Sequence, residues 1–108
     1  MNADDLRLLE SVGAETAVAA RHVLIERGQP GTGLYVIREG TVRVEAPERT
    51  RELGPGACVG ERALLSTEGV RTARVVAVSD CRVLAVDRAE FDRLCADNPG
   101  LADRIADV

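Results

Sequence analysis

The sequence contains no lysine and no tryptophan, and its aromatic side chains are limited to Tyr35 and Phe91. It therefore lacks the stacking platforms that RNA-binding sheets and single-strand grooves use. The formal net charge of −4 argues against a surface that binds nucleic acid. No apolar run approaches the roughly 18–20 residues of a membrane span, and no signal peptide opens the chain. We expect a soluble, cytoplasmic domain that engages neither nucleic acid nor membrane.

Histidine and cysteine are also scarce. His22 is the only histidine, which excludes metal sites built on two or three imidazoles and argues against a Ser–His or Cys–His relay. Cys58, Cys81 and Cys95 have no metal-ligand spacing, and we expect them to be reduced, buried thiols. We predict no catalytic residue, no metal and no cofactor, and hence no enzyme.

The remaining composition is typical of a globular domain. The 108 residues are 45% apolar and 30% charged, which predicts one domain, residues 1–108, with an aliphatic core. Over most of the chain apolar side chains recur with period two between turn residues. Residues 34–37 are apolar on both faces, so we expect a central strand there. The predicted strands lie near 15–20, 23–27, 33–39, 41–46, 50–53, 57–59, 71–78 and 81–86.

Helical patterns flank these strands. An apolar face near the start predicts a short helix that Gly13 ends, and Asp87 is a predicted N-cap that forms a capping box with Glu90. Asn98-Pro99 separates that helix from a last one, whose apolar positions continue to Val108. The predicted fold is mainly β with flanking helices: an eight-stranded antiparallel β-roll, or jelly-roll barrel, with an N-terminal helix and C-terminal helices.

One segment interrupts the strand pattern with helix-forming residues. It reads Gly60-Glu61-Arg62-Ala63-Leu64-Leu65-Ser66 and is followed, after a short gap, by Arg71-Thr72-Ala73. A short helix here would present free backbone N–H groups and a positive dipole end, which together attract an anion. The Arg71 guanidinium suits phosphate because it donates two hydrogen bonds at fixed spacing, and Glu61 can accept one from a sugar hydroxyl. These groups predict a site for a ribose phosphate.

This segment resembles the phosphate-binding cassette of the cyclic nucleotide-binding domain family, whose pattern is Gly-Glu-x-Ala-Leu followed by Arg-Thr/Ser/Ala-Ala. The resemblance extends over nearly the whole chain and implies the family's β-roll, including a short helix within the cassette. The further landmarks that match are Gly33-Leu34-Tyr35-Val36-Ile37, Glu39-Gly40-Thr41-Val42, Leu53-Gly54-Pro55-Gly56 and Asp97-Asn98-Pro99.

The resemblance also implies a role for each matching residue. Glu61 accepts a hydrogen bond from the ribose 2′-hydroxyl, and Arg71 pairs with the cyclic phosphate. Backbone N–H groups of Ala63 and Leu64 complete the phosphate cradle. Thr72 touches phosphate and the guanine amino group, so it permits cGMP without excluding cAMP. The implied cyclic nucleotide-binding site consists of Gly60, Glu61, Arg62, Ala63, Leu64, Arg71, Thr72 and Ala73.

The chain departs from the family pattern in several respects. Arg62 replaces the usual aliphatic residue, and Arg74 stands where threonine or serine is common, so we expect both to form surface pairs with nearby acids. The family's last helix closes over the purine, and we expect this lid helix to be truncated at Val108.

The sequence therefore predicts a regulatory module that binds cAMP, or alternatively cGMP, and signals occupancy through its C-terminal helices to an output domain or partner protein outside this chain. We expect the chain to be monomeric. The alternative is a degenerate β-roll that serves as a protein-interaction module without binding nucleotide. A cupin-like enzyme is excluded by the single histidine, and a DNA-binding regulator requires a longer parent chain.

Overall fold

The computed structural model describes residues 2–26, 28, 33–60 and 73–106. Three helices lie in these ranges: α1 (Ala3–Val12), α2 (Arg88–Asp97) and α3 (Leu101–Ala106). The strands are β1 (Ala14–Val18), β2 (Val23–Ile25), β3 (Gly33–Glu39), β4 (Val42–Glu45), β5 (Thr50–Leu53), β6 (Cys58–Val59), β7 (Arg74–Ala77) and β8 (Cys81–Asp87). The predicted helix within the cassette and the predicted strand start at residue 71 lie outside the described residues. None of the described helices is long and apolar enough to cross a membrane.

The strands form two four-stranded antiparallel sheets. The first sheet has the order β1-β8-β3-β6, and the second has the order β2-β7-β4-β5. Strands distant in sequence pair within each sheet, as β1 does with β8 and β2 with β7. The predicted fold class, a mainly β roll of eight antiparallel strands with flanking helices, is confirmed.

Strand β3 lies inside the first sheet, between β8 and β6, and both of its faces are covered. Leu34 and Val36 belong to an apolar cluster shared with the helices, whereas Ile37 belongs to a second cluster between the two sheets, against which Tyr35 packs. This confirms the central strand expected from the run of apolar residues at 34–37. The roll therefore has three layers: helices, first sheet and second sheet.

The two clusters divide the core between them. The helical cluster joins α1, α2 and α3 to the outer face of the first sheet, and it includes Leu9, Phe91, Leu94, Leu101 and Ile105. The interior cluster between the sheets contains no aromatic residue among its buried members; these are Val18, Ile25, Ile37, Val42, Val44, Val59, Val75, Ala77, Cys81 and Val83. The core is thus aliphatic apart from Phe91 at its helical side, and Tyr35 packs at the edge of the interior cluster.

The helix caps differ in part from those predicted. Asp87 caps α2 as expected, since its carboxylate accepts a hydrogen bond from the backbone N–H of Glu90 at 2.8 Å. The reciprocal half of the predicted capping box is not formed, because the Glu90 carboxylate pairs with Arg93 one turn later. A complete capping box occurs instead at α1, between Asn2 and Asp5. This box was not predicted because Asn and Asp take the places of the Ser/Thr and Glu/Gln that define the usual pattern.

Asp5 is the one charged residue that is buried among those the structure describes. Both of its carboxylate oxygens accept from Nε of Arg104, at 3.0 and 2.9 Å. These hydrogen bonds lower the pKa of Asp5 below its ordinary value of 3.8, although burial acts in the opposite direction. The carboxylate is therefore held in its charged form by a residue at the other end of the chain.

This shift predicts a pH dependence of stability. Because the folded-state pKa of Asp5 is lower than its unfolded value, the ionised carboxylate stabilises the fold above pH 3.8, and this contribution disappears as the pH falls through that value and below it. We expect the melting temperature of the parent chain to exceed that of an Asp5→Asn variant near neutral pH and the difference to shrink on acidification. Thermal melts followed by circular dichroism from pH 7 to pH 3 measure it, and a difference independent of pH would contradict the prediction.

Candidate functional site

The predicted site occupies the cassette segment, residues 60–73, of which the structure describes only the two ends. Gly60 directly follows β6, and Ala73 directly precedes β7. The other predicted site residues lie outside the described residues: Glu61, Arg62, Ala63, Leu64, Arg71 and Thr72. Their assignment to the site therefore stays a prediction.

The two ends of the cassette segment belong to different sheets. Strand β6 pairs with β3 in the first sheet, with Tyr35 opposite Val59 and Val36 opposite Cys58. Strand β7 lies in the second sheet, between β2 and β4. The chain thus leaves one sheet at Gly60 and enters the other after Ala73, so the segment connects the two halves of the roll.

Each end has a distinct local structure. Gly60 has a φ of +90°, a left-handed conformation that residues with a Cβ adopt only with strain. Ala73 is half-buried and packs against the interior cluster between the sheets.

The next residue, Arg74, lies on the outer face of the second sheet. It forms ion pairs with Glu26, which follows β2, at 3.5 Å and with Glu45 of β4 at 3.3 Å. Glu45 also accepts from Arg43 at 3.1 Å, and the hydrogen bond from Arg74 is the main cause of its lowered pKa. The expected pairing of Arg74 with nearby acids is confirmed. The partners, however, lie far from Arg74 along the chain and could not be assigned from the sequence.

The described residues contain no group of three or more side chains able to hold a metal ion. Cys58 and Cys81 are buried, as predicted, whereas Cys95 is only partly buried. Burial raises the pKa of the Cys95 thiol, with a further contribution from the Asp92 carboxylate. Cys95 is therefore protonated at neutral pH and is poorly suited to act as a nucleophile. His22 is exposed.

The left-handed glycines near the site allow a matched pair of substitutions. Gly56 has a φ of +92° and nothing within 4 Å of the position a Cβ would take, so alanine there costs only backbone strain, about 1–2 kcal/mol. Gly60 has a similar positive φ, so we expect Gly60→Ala to cause a similar backbone strain and to lower the melting temperature as Gly56→Ala does. If Gly60 sets the course of the chain into the binding site, only Gly60→Ala also weakens cyclic nucleotide binding. Thermal melts and calorimetric titration of both variants measure these effects, and equal affinities would contradict the role of Gly60.

Comparison with known proteins gives consistent matches. The family model described as the cyclic nucleotide-binding domain matches residues 15–98. A cyclic nucleotide-gated potassium channel of Mesorhizobium japonicum is 37% identical over 98 residues, which cover 91% of this chain and 27% of the channel. The crystal structure of the Thermus thermophilus catabolite activator protein superimposes with a TM-score of 0.81 at 29% identity, covering 98% of this chain and 52% of that one.

A second solved structure, from work on a cyclic-GMP-dependent signalling pathway that regulates bacterial phytopathogenesis, gives a TM-score of 0.85 at 29% identity and covers 98% of this chain and 88% of that one. The chain spans about a quarter of the length of the curated relatives it matches. The resemblance inferred from the cassette residues is confirmed by these matches. The chain belongs to the cyclic nucleotide-binding domain family, whose members are ligand-binding regulatory domains.

Proposed function

We propose that this chain is a regulatory module that binds a 3′,5′-cyclic nucleotide at the cassette segment and signals occupancy through its C-terminal helices. One observation carries the proposal: the cassette residues Gly60-Glu61 and Arg71-Thr72-Ala73 occur intact in a chain whose β-roll and family match surround them. A roll that served only for docking would have no need to retain both Glu61 and Arg71.

The chemistry of these residues suits a ribose phosphate. Arg71 supplies a permanent positive charge and two parallel hydrogen bonds for the cyclic phosphate, which carries one negative charge. Glu61 supplies an acceptor for the ribose 2′-hydroxyl. Backbone N–H groups of Ala63 and Leu64 provide further donors. Gly60 and Ala73 bracket the segment, and Arg62 and Thr72 complete the proposed set.

Strand β6 supplies a route from this site to the helices. Val59 belongs to the interior cluster between the sheets, whereas its neighbour Cys58 belongs to the helical cluster with Phe91 and Leu94. A shift of the chain at Gly60 on ligand binding would therefore change the packing of Cys58 against Phe91 and Leu94 of α2. Ligand then acts by favouring one of two helix arrangements, and couplings of this kind are about 1–3 kcal/mol.

We propose cAMP as the preferred ligand and keep cGMP as the alternative, since Thr72 is compatible with either base and does not exclude cGMP. The relatives include the cyclic AMP receptor protein of Thermus thermophilus and a protein from work on a cyclic-GMP-dependent pathway, so both bases occur in their descriptions. No metal or cofactor is needed for this binding mode, because the arginine and the backbone donors neutralise the phosphate.

The test is calorimetric titration of the 108-residue chain with cAMP and cGMP, with 5′-AMP as the control for recognition of the cyclic phosphate. We expect saturable binding of a cyclic nucleotide at one site and much weaker binding of 5′-AMP. The heats with cAMP and cGMP rank the two bases. A folded chain that gives no heat with either cyclic nucleotide would overturn the proposal and support a protein-interaction module.

We propose that residues 1–108 act as a single binding domain, monomeric and cytoplasmic, whose output belongs to a longer protein or a partner. The length of the relatives supports an output outside this chain, because the match covers only 27% of the potassium channel. Sedimentation at several concentrations tests the monomer, and a dimer that persists on dilution would contradict it.

A further inference from the structure

The first and last helices of the structure are joined by a buried charge. Asp5 lies in the first turn of α1 and its side chain is 2% exposed, while Arg104 lies in the last turn of α3 and its side chain is 43% exposed. In every other ion pair among the described residues, both side chains are at least 30% exposed. This pair is therefore unlike the surface pairs, which contribute little to stability.

The pair is also unlike the apolar contacts around it. Leu101 and Ile105 of α3 are buried in the helical cluster, and such contacts are non-directional. By contrast, Nε of Arg104 lies within 3.0 Å of both Asp5 oxygens, so the ion pair specifies where α3 must lie relative to α1. Gly100 leaves room for this arrangement, because a Cβ there would come within 3.0 Å of Nη1 of Arg104.

Separating the pair is unfavourable mainly because of the buried partner, Asp5. Arg104 is half-exposed and finds water readily if α3 moves away. Asp5 is almost fully buried, and besides Arg104 its carboxylate accepts a hydrogen bond from the backbone N–H of Asn2 at 3.3 Å. A buried carboxylate without its counter-ion is strongly unfavourable. Movement of α3 is therefore opposed by the charge of Asp5.

We propose that the Asp5–Arg104 pair is a latch that holds α3 against α1 and controls the local undocking of α3 from the helical layer. The latch itself follows from the geometry of the pair. Its signalling role, in which bound cyclic nucleotide changes how often α3 undocks, rests on the proposed function. Arg104 is in this sense a positioning residue for the helix through which the signal leaves.

The test uses the reactivity of a buried thiol as a reporter of undocking. Ile105 is fully buried in α3, so an Ile105→Cys substitution places a thiol that iodoacetamide reaches only when α3 opens. Peptide mass spectrometry separates its alkylation from that of Cys81, a buried thiol in the interior cluster that reports opening of the roll as a whole. Rates are measured in the Ile105→Cys background alone and combined with Asp5→Asn or Arg104→Gln.

We expect either latch variant to speed alkylation at position 105 by about tenfold or more while the rate at Cys81 stays unchanged. Arg93→Gln is the matched control, since it removes an exposed ion pair with Glu90 in the neighbouring helix and should change neither rate. Equal rates at position 105 in all variants would overturn the latch. Equal acceleration at Cys81 would overturn it too, because the pair would then act on global stability only.

A final arm adds saturating cAMP or cGMP to the Ile105→Cys chain, with binding checked by calorimetry. A changed rate at position 105 in the bound state supports the signalling role, and an unchanged rate with ligand bound overturns that role. If neither nucleotide binds, the proposed function fails, and the comparison of the latch variants still decides whether the latch exists.

Discussion

Replacing Arg71 by alanine is expected to weaken cyclic nucleotide binding by about 30-fold to several thousand-fold, equivalent to about 2–5 kcal/mol. The reason is electrostatic: the proposed partner of Arg71 is the phosphate of the ligand, and without the guanidinium that charge enters the site unpaired. Calorimetric titration of the parent chain and the Arg71→Ala variant with the preferred nucleotide measures the effect.

Arg74 supplies the matched control, because it is an arginine only three residues farther along the chain. Its side chain is engaged by Glu26 and Glu45 on the outer face of the second sheet. Arg74→Ala removes the same charge but no proposed phosphate contact, so we expect affinity to change by less than about tenfold. Similar losses in the two variants would show that net charge, rather than a specific pairing, governs binding and would reject the assigned role of Arg71.

The largest effect on stability is expected at Phe91. This side chain is 1% exposed and lies in the cluster where α2 packs on the first sheet with Leu84, Val86 and Leu94. Phe91→Ala should lower the free energy of unfolding by about 3–5 kcal/mol, since it removes apolar burial and leaves a cavity. For a domain of this size each kcal/mol corresponds to about 4–8 °C, so we expect the melting temperature to fall by about 12 °C or more.

Val78 provides the comparison for this substitution. It follows β7, is 42% exposed and lies outside both apolar clusters. Val78→Ala should change stability by no more than about 0.5 kcal/mol. Urea unfolding of the parent chain and both variants gives the free energies. A loss below about 1 kcal/mol for Phe91→Ala would show that the helical layer is not packed as the structure describes.

Much of the fold follows from local patterns in the sequence. The alternation of apolar residues predicts each of the strands within a few positions, because side chains of an extended chain point alternately to opposite faces. The doubly apolar run at 34–37 predicts a strand covered on both sides, and β3 is covered by helices on one side and by the second sheet on the other. The cassette residues likewise predict the family, because phosphate recognition requires particular residue types at short, fixed spacings.

The limits of the sequence analysis lie in contacts between distant residues. Periodicity cannot tell that β8 lies between β1 and β3, or that β7 lies between β2 and β4. It equally cannot assign Glu26 and Glu45 to Arg74, since those carboxylates belong to other parts of the chain. Asp5 lies in the first turn of α1, a position usually exposed, and no local pattern in the sequence predicts its burial.

The sequence by itself determined the strands, the helices and the residues of the proposed phosphate site, since each depends on side-chain periodicity or on close spacing along the chain. Tertiary structure alone decided the pairing of the strands, the two-sheet origin of the cassette ends and the meeting of Asp5 with Arg104 across 99 residues. The physical reason is that folding brings together residues that are far apart in the sequence and that show no unusual pattern among their sequence neighbours. Asp5 and Arg104 acquire their importance only when packing of the helical layer removes the carboxylate from water.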